Sequence, residues 1–258
     1  APGAKIMPIK AMGPNNGYIS SAIYGLMYAV LEGADISNHS YGLYVDVPGF
    51  ESVIQTAGSQ GHVVVAAAGN DGSNNDGLPH YPSSYPTANV ISVAAVDSSG
   101  SLASFATWGS NYGASSVDVA APGVGILSTT LGGGYGNLSG TSMAAPHVAG
   151  VAALLRSAIP GLAPSTIRQA LIDSAQPNPQ LAGLMVSGGT VDAFEAIRER
   201  YERDERWRDL LVVSRRRAEA LAAPTEAASA WITVAKLASE RLHEPKEATR
   251  ALEKALAL

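Results

Sequence analysis

Gly140-Thr141-Ser142-Met143-Ala144-Ala145-Pro146-His147-Val148-Ala149-Gly150 is the stretch around which the chain is organised. A glycine permits a tight approach, two hydroxyl residues follow, and small and apolar residues then run at helical spacing through Leu155. This pattern predicts a loop feeding a helix, with Ser142 at or just inside the first turn. Amides at that position have no partner within the helix, and the helix dipole favours negative charge there. A nucleophile that generates an oxyanion gains from such a seat. A bare Thr-Ser pair before a helix reads equally well as an N-cap.

Eleven consecutive residues weigh against the cap as the whole explanation. The stretch resembles the nucleophile motif of the subtilisin-like serine peptidases, with Ser142 in the nucleophile's place. The resemblance extends over about residues 1–197. Ala67-Ala68-Gly69-Asn70 is similar to the family segment whose Asn amide points at the oxyanion. On its own, Gly69-Asn70-Asp71-Gly72 would be plain turn chemistry. The resemblance implies that Asn70 completes the oxyanion hole. Losing such a donor costs roughly 10²–10³ in turnover, a figure that comes from this family and is not inferred from this chain. It also implies that Ser40-Tyr41-Gly42 pairs with the substrate backbone, and that Ala67, Ala68 and Gly69 wall the side-chain pocket. Tyr81 to Pro86 and Ala103 to Ala106 resemble further family segments with structural roles.

The general base does not follow so readily. The family carries its Asp in Asp-Thr/Ser-Gly and its His in His-Gly-Thr-x-Val-Ala-Gly, and neither string occurs in this chain. Both precede, in the family, the segment that Ala1-Pro2-Gly3-Ala4-Lys5-Ile6 resembles. The expectation is therefore a chain that begins inside a longer product. Five histidines are present. His147 lies five residues beyond Ser142, a rotation of roughly 140° around the helix axis. His62 opens a strand at the end remote from Asn70. His80 sits in a loop, and the strand parity of His39 relative to Ser40 is open. Structural roles are expected for all of them, because nothing nearby supplies the group that orients a base.

The chain has 258 residues, 46% of them apolar, and a net charge of −5. That is an ordinary globular balance without a polyanion-binding signature, and no nucleic-acid partner is expected. The Arg215-Arg216-Arg217 run lies among acids and reads as a solvated helical face. With no cysteine there is neither a disulfide nor thiol chemistry. No apolar run approaches the ~20 residues that span a bilayer. Asn74-Asn75-Asp76-Gly77 offers oxygens but reads as a loop, and no metal site or cofactor is expected.

Alternating candidates for strands and helices predict an α/β fold. The expected form is three layers, a mostly parallel sheet with helices on both faces, and the resemblance implies that it is an incomplete subtilisin-like fold. Strands are expected at Ala4–Lys10, Ala34–Gly42, Gly61–Ala68, Val90–Val96, Val117–Gly123 and Gly125–Ser128. Helices are expected at Ser20–Leu31, Gly49–Gln60, after Ser142, and at Ser165–Ala175. Composition shifts near residue 198: residues 1–197 carry 4 Lys/Arg and 11 Asp/Glu, whereas residues 198–258 carry 13 and 11. All 27 glycines precede residue 190. Two domains are expected, 1–197 and an all-α segment 198–258. The latter has helices at Glu202–Leu221, Glu226–Leu242 and Lys246–Leu258. Ala228, Trp231, Val234, Leu237, Ala238, Ala248, Leu252, Ala255 and Leu256 loosely resemble one tetratricopeptide repeat, the alternative being a generic amphipathic hairpin.

Two functions follow. The first is a serine endopeptidase acting on polypeptides, of which this chain carries only part of the catalytic domain and is inactive alone. The resemblance implies a secreted or periplasmic setting. The second is an inactive peptidase remnant that serves as a scaffold, binding a protein partner through residues 198–258.

Overall fold

The computed structural model describes residues 3–13, 17–104 and 107–258. Ala1 and Pro2 of the opening segment, and Phe105 and Ala106 of the Ala103–Ala106 segment, lie outside the described residues. The chain divides into two compact units, Ala1–Asp192 and Ala193–Leu258.

In the first unit, apolar residues at helical spacing make Ile19–Leu31 a helix (α1) that buries Ala22, Leu26 and Ala29. Strand Ile36–His39 (β1) follows. Pro48 starts helix Pro48–Ser59 (α2), which buries Phe50, Ile54 and Ala57. Val63–Ala67 (β2) and Val90–Val96 (β3) are buried at every position, as central strands covered on both faces require. Val119–Pro122 (β4) is followed by Ile126–Thr129 (β5) and Tyr135–Leu138 (β6), which pair antiparallel. Helices Thr141–Ala158 (α3) and Pro164–Asp173 (α4) precede two short strands, Gln176–Pro177 (β7) and Gly189–Thr190 (β8).

The main sheet has the order β1-β2-β3-β4-β8-β7. Its first four junctions are parallel, with Ile36 opposite Val63, Val64 opposite Val90, Val93 opposite Val119, and Ala120 opposite Thr190. Only β7 runs antiparallel to its neighbour. Val64 and Val90 pack with Leu26, Phe50, Ile54 and Tyr85 in the core beneath α1 and α2. Helix α3 crosses β1, β2, β3 and β4. The parallel arrangement gathers the carboxyl ends of β1 and β2 beside the start of α3, where open sheets of this kind place their sites.

Ala4–Lys10, expected as a strand, is not one: it is irregular backbone, with Ile6 85% exposed. Among the described residues its backbone pairs only locally, Ala11 N–H with the Ile9 carbonyl, and a strand needs a neighbour to pair with. Strands β6, β7 and β8 were not expected. They are two to four residues long and rich in glycine and polar residues, below the length at which period-2 patterning stands out.

The second unit is helical throughout: Ala193–Arg203 (α5), Trp207–Ala220 (α6), Pro224–Glu240 (α7) and Pro245–Leu256 (α8). Each helix packs on the next. The single helix expected at Glu202–Leu221 is instead interrupted, because Glu205 takes a left-handed conformation with φ 53° between α5 and α6. Prolines 224 and 245 occupy the first turns of α7 and α8, where the missing amide costs nothing. Trp231, Val234, Leu237, Ala238 and Ala248 are buried, whereas Leu252 and Leu256 are 46% and 88% exposed. Two members of the arginine run are engaged, Arg215 with Glu247 at 3.1 Å and Arg217 with Glu195 at 3.4 Å. No described helix is long and apolar enough to cross a membrane.

Candidate active site

Helix α3 begins at Thr141, one residue before Ser142, after Gly140 with φ 146°. That backbone conformation favours glycine, and a Cβ there would lie 3.3 Å from Asn70 Oδ1. Neither hydroxyl caps the helix. Thr141 instead reaches across to the end of β2. Its Oγ1 accepts from the Gly69 amide at 3.2 Å and lies 3.1 Å from Asn70 Oδ1. The Thr141 amide donates to the same Asn70 oxygen at 2.9 Å.

These contacts orient the Asn70 carboxamide. With Oδ1 engaged twice, the amide nitrogen Nδ2 faces the other way and has no hydrogen-bond partner among the described residues. The amides of Met143 and Ala144 both turn back to the Gly140 carbonyl. The Ser142 amide, in the first turn, is left without an intrahelical acceptor. Ser142 N–H and Asn70 Nδ2 are thus two donors without a hydrogen-bond partner among the described residues, on residues that Thr141 links.

Ser40 follows β1 and is joined to Ser142 twice. Its Oγ donates to the Ser142 carbonyl at 2.8 Å, and Ser142 Oγ donates to the Ser40 carbonyl at 3.2 Å. The first bond exists because Pro146 stands four residues after Ser142. Proline has no amide to offer, so the carbonyl that an ordinary helix would consume is free. Tyr41 OH is bonded to His39 Nδ1 at 2.5 Å, and burial raises its pKa. A Cβ on Gly42 would collide with the His80 ring, so the ring and this stretch of backbone lie in direct contact. Ala67 and Ala68 are buried, and Gly69, at φ 111°, turns the chain out of β2. The sequence-predicted segments therefore converge on the start of α3. Thr141, read from sequence only as a possible cap, is the residue that ties the end of β2 to α3.

None of the five histidines is hydrogen-bonded to Ser142 among the described residues. His147 is exposed on α3, its Nδ1 2.9 Å from the Met143 carbonyl. His39 and His62 are buried and share Ser37 Oγ, at 2.7 and 2.8 Å. Burial, assisted by His62, holds the His39 pKa down to about 3. Burial also lowers those of His62 and His80. His80 Nδ1 lies 3.3 Å from Ser83 Oγ, with its ring edge on Tyr44. His243, at φ 54°, sits in the turn before α8 of the second unit.

The carboxylates are otherwise engaged. Asp118 takes two hydrogen bonds from Arg168, at 2.7 and 3.1 Å, and one from the Ser92 amide. Asp76 accepts from Ser115 Oγ and Ser116 Oγ at 2.9 and 2.7 Å. No group of three His, Cys, Asp or Glu residues able to hold a metal ion occurs among the described residues.

A parallel α/β sheet thus brings a serine at a helix start and a carboxamide at a strand end to one place. Comparison with known proteins makes this specific. The family model "Subtilase family" matches residues 1–200, and the chain belongs to the subtilase family. It is 41% identical over 198 residues to the thermophilic serine proteinase of Bacillus sp. (strain AK1), covering 76% of this chain and 46% of that protein. It is 39% identical over 198 residues to thermitase of Thermoactinomyces vulgaris, covering 76% and 66%. A solved protease of Pseudoalteromonas arctica PAMC 21717 superposes with a TM-score of 0.66 at 35% identity, over 75% of this chain and 62% of that one. The chain thus spans between about half and two thirds of these relatives' lengths.

Proposed function

We propose that residues 1–197 carry the nucleophile and oxyanion parts of a serine endopeptidase site. Ser142 Oγ attacks a peptide carbonyl, forming an acyl-enzyme, and the developing oxyanion is held by Ser142 N–H and Asn70 Nδ2. The backbone at Ser40-Tyr41-Gly42 and at Ala67-Ala68-Gly69 flanks the polypeptide substrate. The reading rests on one observation: Thr141, the neighbour of Ser142, ties back Asn70 Oδ1, while Nδ2 has no hydrogen-bond partner among the described residues.

Among the described residues no imidazole is hydrogen-bonded to Ser142 Oγ, whose proton goes instead to the Ser40 carbonyl, which is not a base. The chain alone is therefore expected to show only what an oxyanion hole and binding retain, roughly 10³–10⁴ over water at best. Fluorophosphonate labelling tests this. Slow labelling, confined to Ser142 and lost in Ser142→Ala, is the expected result. Modification at another residue overturns the nucleophile assignment, and rapid stoichiometric labelling overturns the expected near-inactivity.

A second reading, a peptidase remnant acting as a scaffold, draws on a different observation. In the helical unit a largely charged groove of about 640 Å³ is lined by α5, α6 and α7 and the residue after α7, among them Arg198, Glu202, Trp207, Lys236, Glu240 and Arg241. A tetratricopeptide-like segment at 198–258 would use such a groove to bind a protein partner. Retention of a partner by 198–258, unaffected by Ser142→Ala, is what that reading requires.

A further inference from the structure

Asn111 is fully buried, 0% exposed, on a segment that runs alongside the loop leaving β2. Parallel bridges join Asp71 to Gly109 and Asn74 to Tyr112. Its side chain fills the inside of that loop. Oδ1 accepts from the amides of Asp71 and Ser73 at 2.9 and 3.0 Å. Nδ2 lies within bonding distance of the Ala68 carbonyl at 3.1 Å, Asn75 Oδ1 at 2.9 Å and Tyr44 OH at 3.0 Å.

The backbone of the same segment completes the grip. Asn111 N–H donates to the Gly69 carbonyl at 2.9 Å, and Gly109 N–H donates to the Asn70 carbonyl at 3.2 Å. The Gly72 amide donates to the Gly109 carbonyl at 2.9 Å. A Cβ on Gly69 would collide with Asn111 Nδ2, so glycine is required there for the two segments to meet. Every residue from Ala68 to Ser73 is held by the 109–112 segment. One side chain holds the backbone on both sides of Asn70, and among the described residues it is hydrogen-bonded to neither the Asn70 carboxamide nor Ser142.

We infer that Asn111 is a positioning residue for the oxyanion donor: its carboxamide clamps the backbone flanking Asn70, and so sets where Asn70 Nδ2 stands relative to Ser142. The inference rests on the oxyanion role proposed for Asn70. A side chain that merely stabilised the unit would lower its melting temperature without changing the order of one particular carboxamide. A positioning residue changes that order, and weakens binding of a tetrahedral anion more than binding of a ground-state ligand.

The experiment uses the full chain and the variants Asn111→Asp, Asn111→Ala and Asn70→Ala. Asn111→Asp keeps acceptors for Asp71 and Ser73 but loses the donors, and keeps the test readable where Asn111→Ala does not fold. The Asn70 side-chain amide signal in ¹⁵N NMR spectra is identified by its loss in Asn70→Ala. It is expected to be rigid in the parent chain and mobile in both Asn111 variants. Affinity for a peptide boronate is expected to fall about tenfold or more in the Asn111 variants. Affinity for the same peptide without boron should stay within about twofold. An Asn70 amide as rigid in the Asn111 variants as in the parent overturns the inference, as does an equal fall in both affinities. Unchanged boronate affinity in Asn70→Ala instead removes the oxyanion reading itself, and the amide dynamics still decide whether Asn111 positions Asn70.

Discussion

Pro146 has no place in a list of catalytic residue types, yet its missing amide is what leaves the Ser142 carbonyl for Ser40. Asn70 is similar: its oxygen, not its nitrogen, is what the fold grips. Ser142 and Asn70 were proposed from sequence because each sits inside a contiguous motif. Thr141 and Asn111 were not, because their partners lie 71 and 40 residues away along the chain. The buried chain Tyr41–His39–Ser37–His62 is another residue-scale feature, and it sets a pH dependence. His39 stays neutral in the folded chain down to about pH 3, whereas in the unfolded chain it takes a proton near 6.5. The unfolded state therefore binds more protons between those values, and stability falls as pH drops through that window. His39→Met removes this contribution. Denaturant titrations from pH 7 to pH 3 should give a shallower loss of stability for the variant than for the parent chain. Parallel slopes would show that His39 titrates alike in both states.

Elements with strong patterns appear where the patterning put them. β3 matches its expected span of Val90–Val96, and α1, α2 and α4 differ from expectation by one or two residues at their ends. The failures have physical causes. Ala4–Lys10 has strand composition, but composition does not supply a neighbour to pair with. Glu202–Leu221 has helical composition, and nothing in its letters marks Glu205 as the residue that turns left-handed. A non-glycine residue held there is strained, and glycine at that position relieves the strain at some entropic cost. Glu205→Gly is accordingly expected to stabilise the helical unit by ~0.5 kcal/mol. Its thermal unfolding, followed by circular dichroism at 222 nm, should move up by a few degrees; a downward shift would contradict the strain.

At the scale of the whole molecule, two units with separate buried cores share one chain. Trp231, Val234, Ala235 and Ala238 are buried within α7, and α7 packs against α6 and α8, all inside 193–258. A fragment of residues 193–258 is therefore expected to be helical by itself. With so few helices its melt should be broad, since small units bury little surface per residue. A coil-like far-ultraviolet spectrum of that fragment would overturn its independence.

The sequence by itself determined the family and the parallel α/β plan, and it pointed to the hydroxyl at 142 and the carboxamide at 70 as the candidate site. All three are carried by local strings and local periodicity. Only the tertiary structure decided how those two groups are held. It closed the Thr141–Asn70 and Ser40–Ser142 bonds, placed Asn111 inside the loop, and put each histidine out of bonding contact with the serine. Such contacts depend on which strands become neighbours in the sheet, and spacing along the chain carries no record of that.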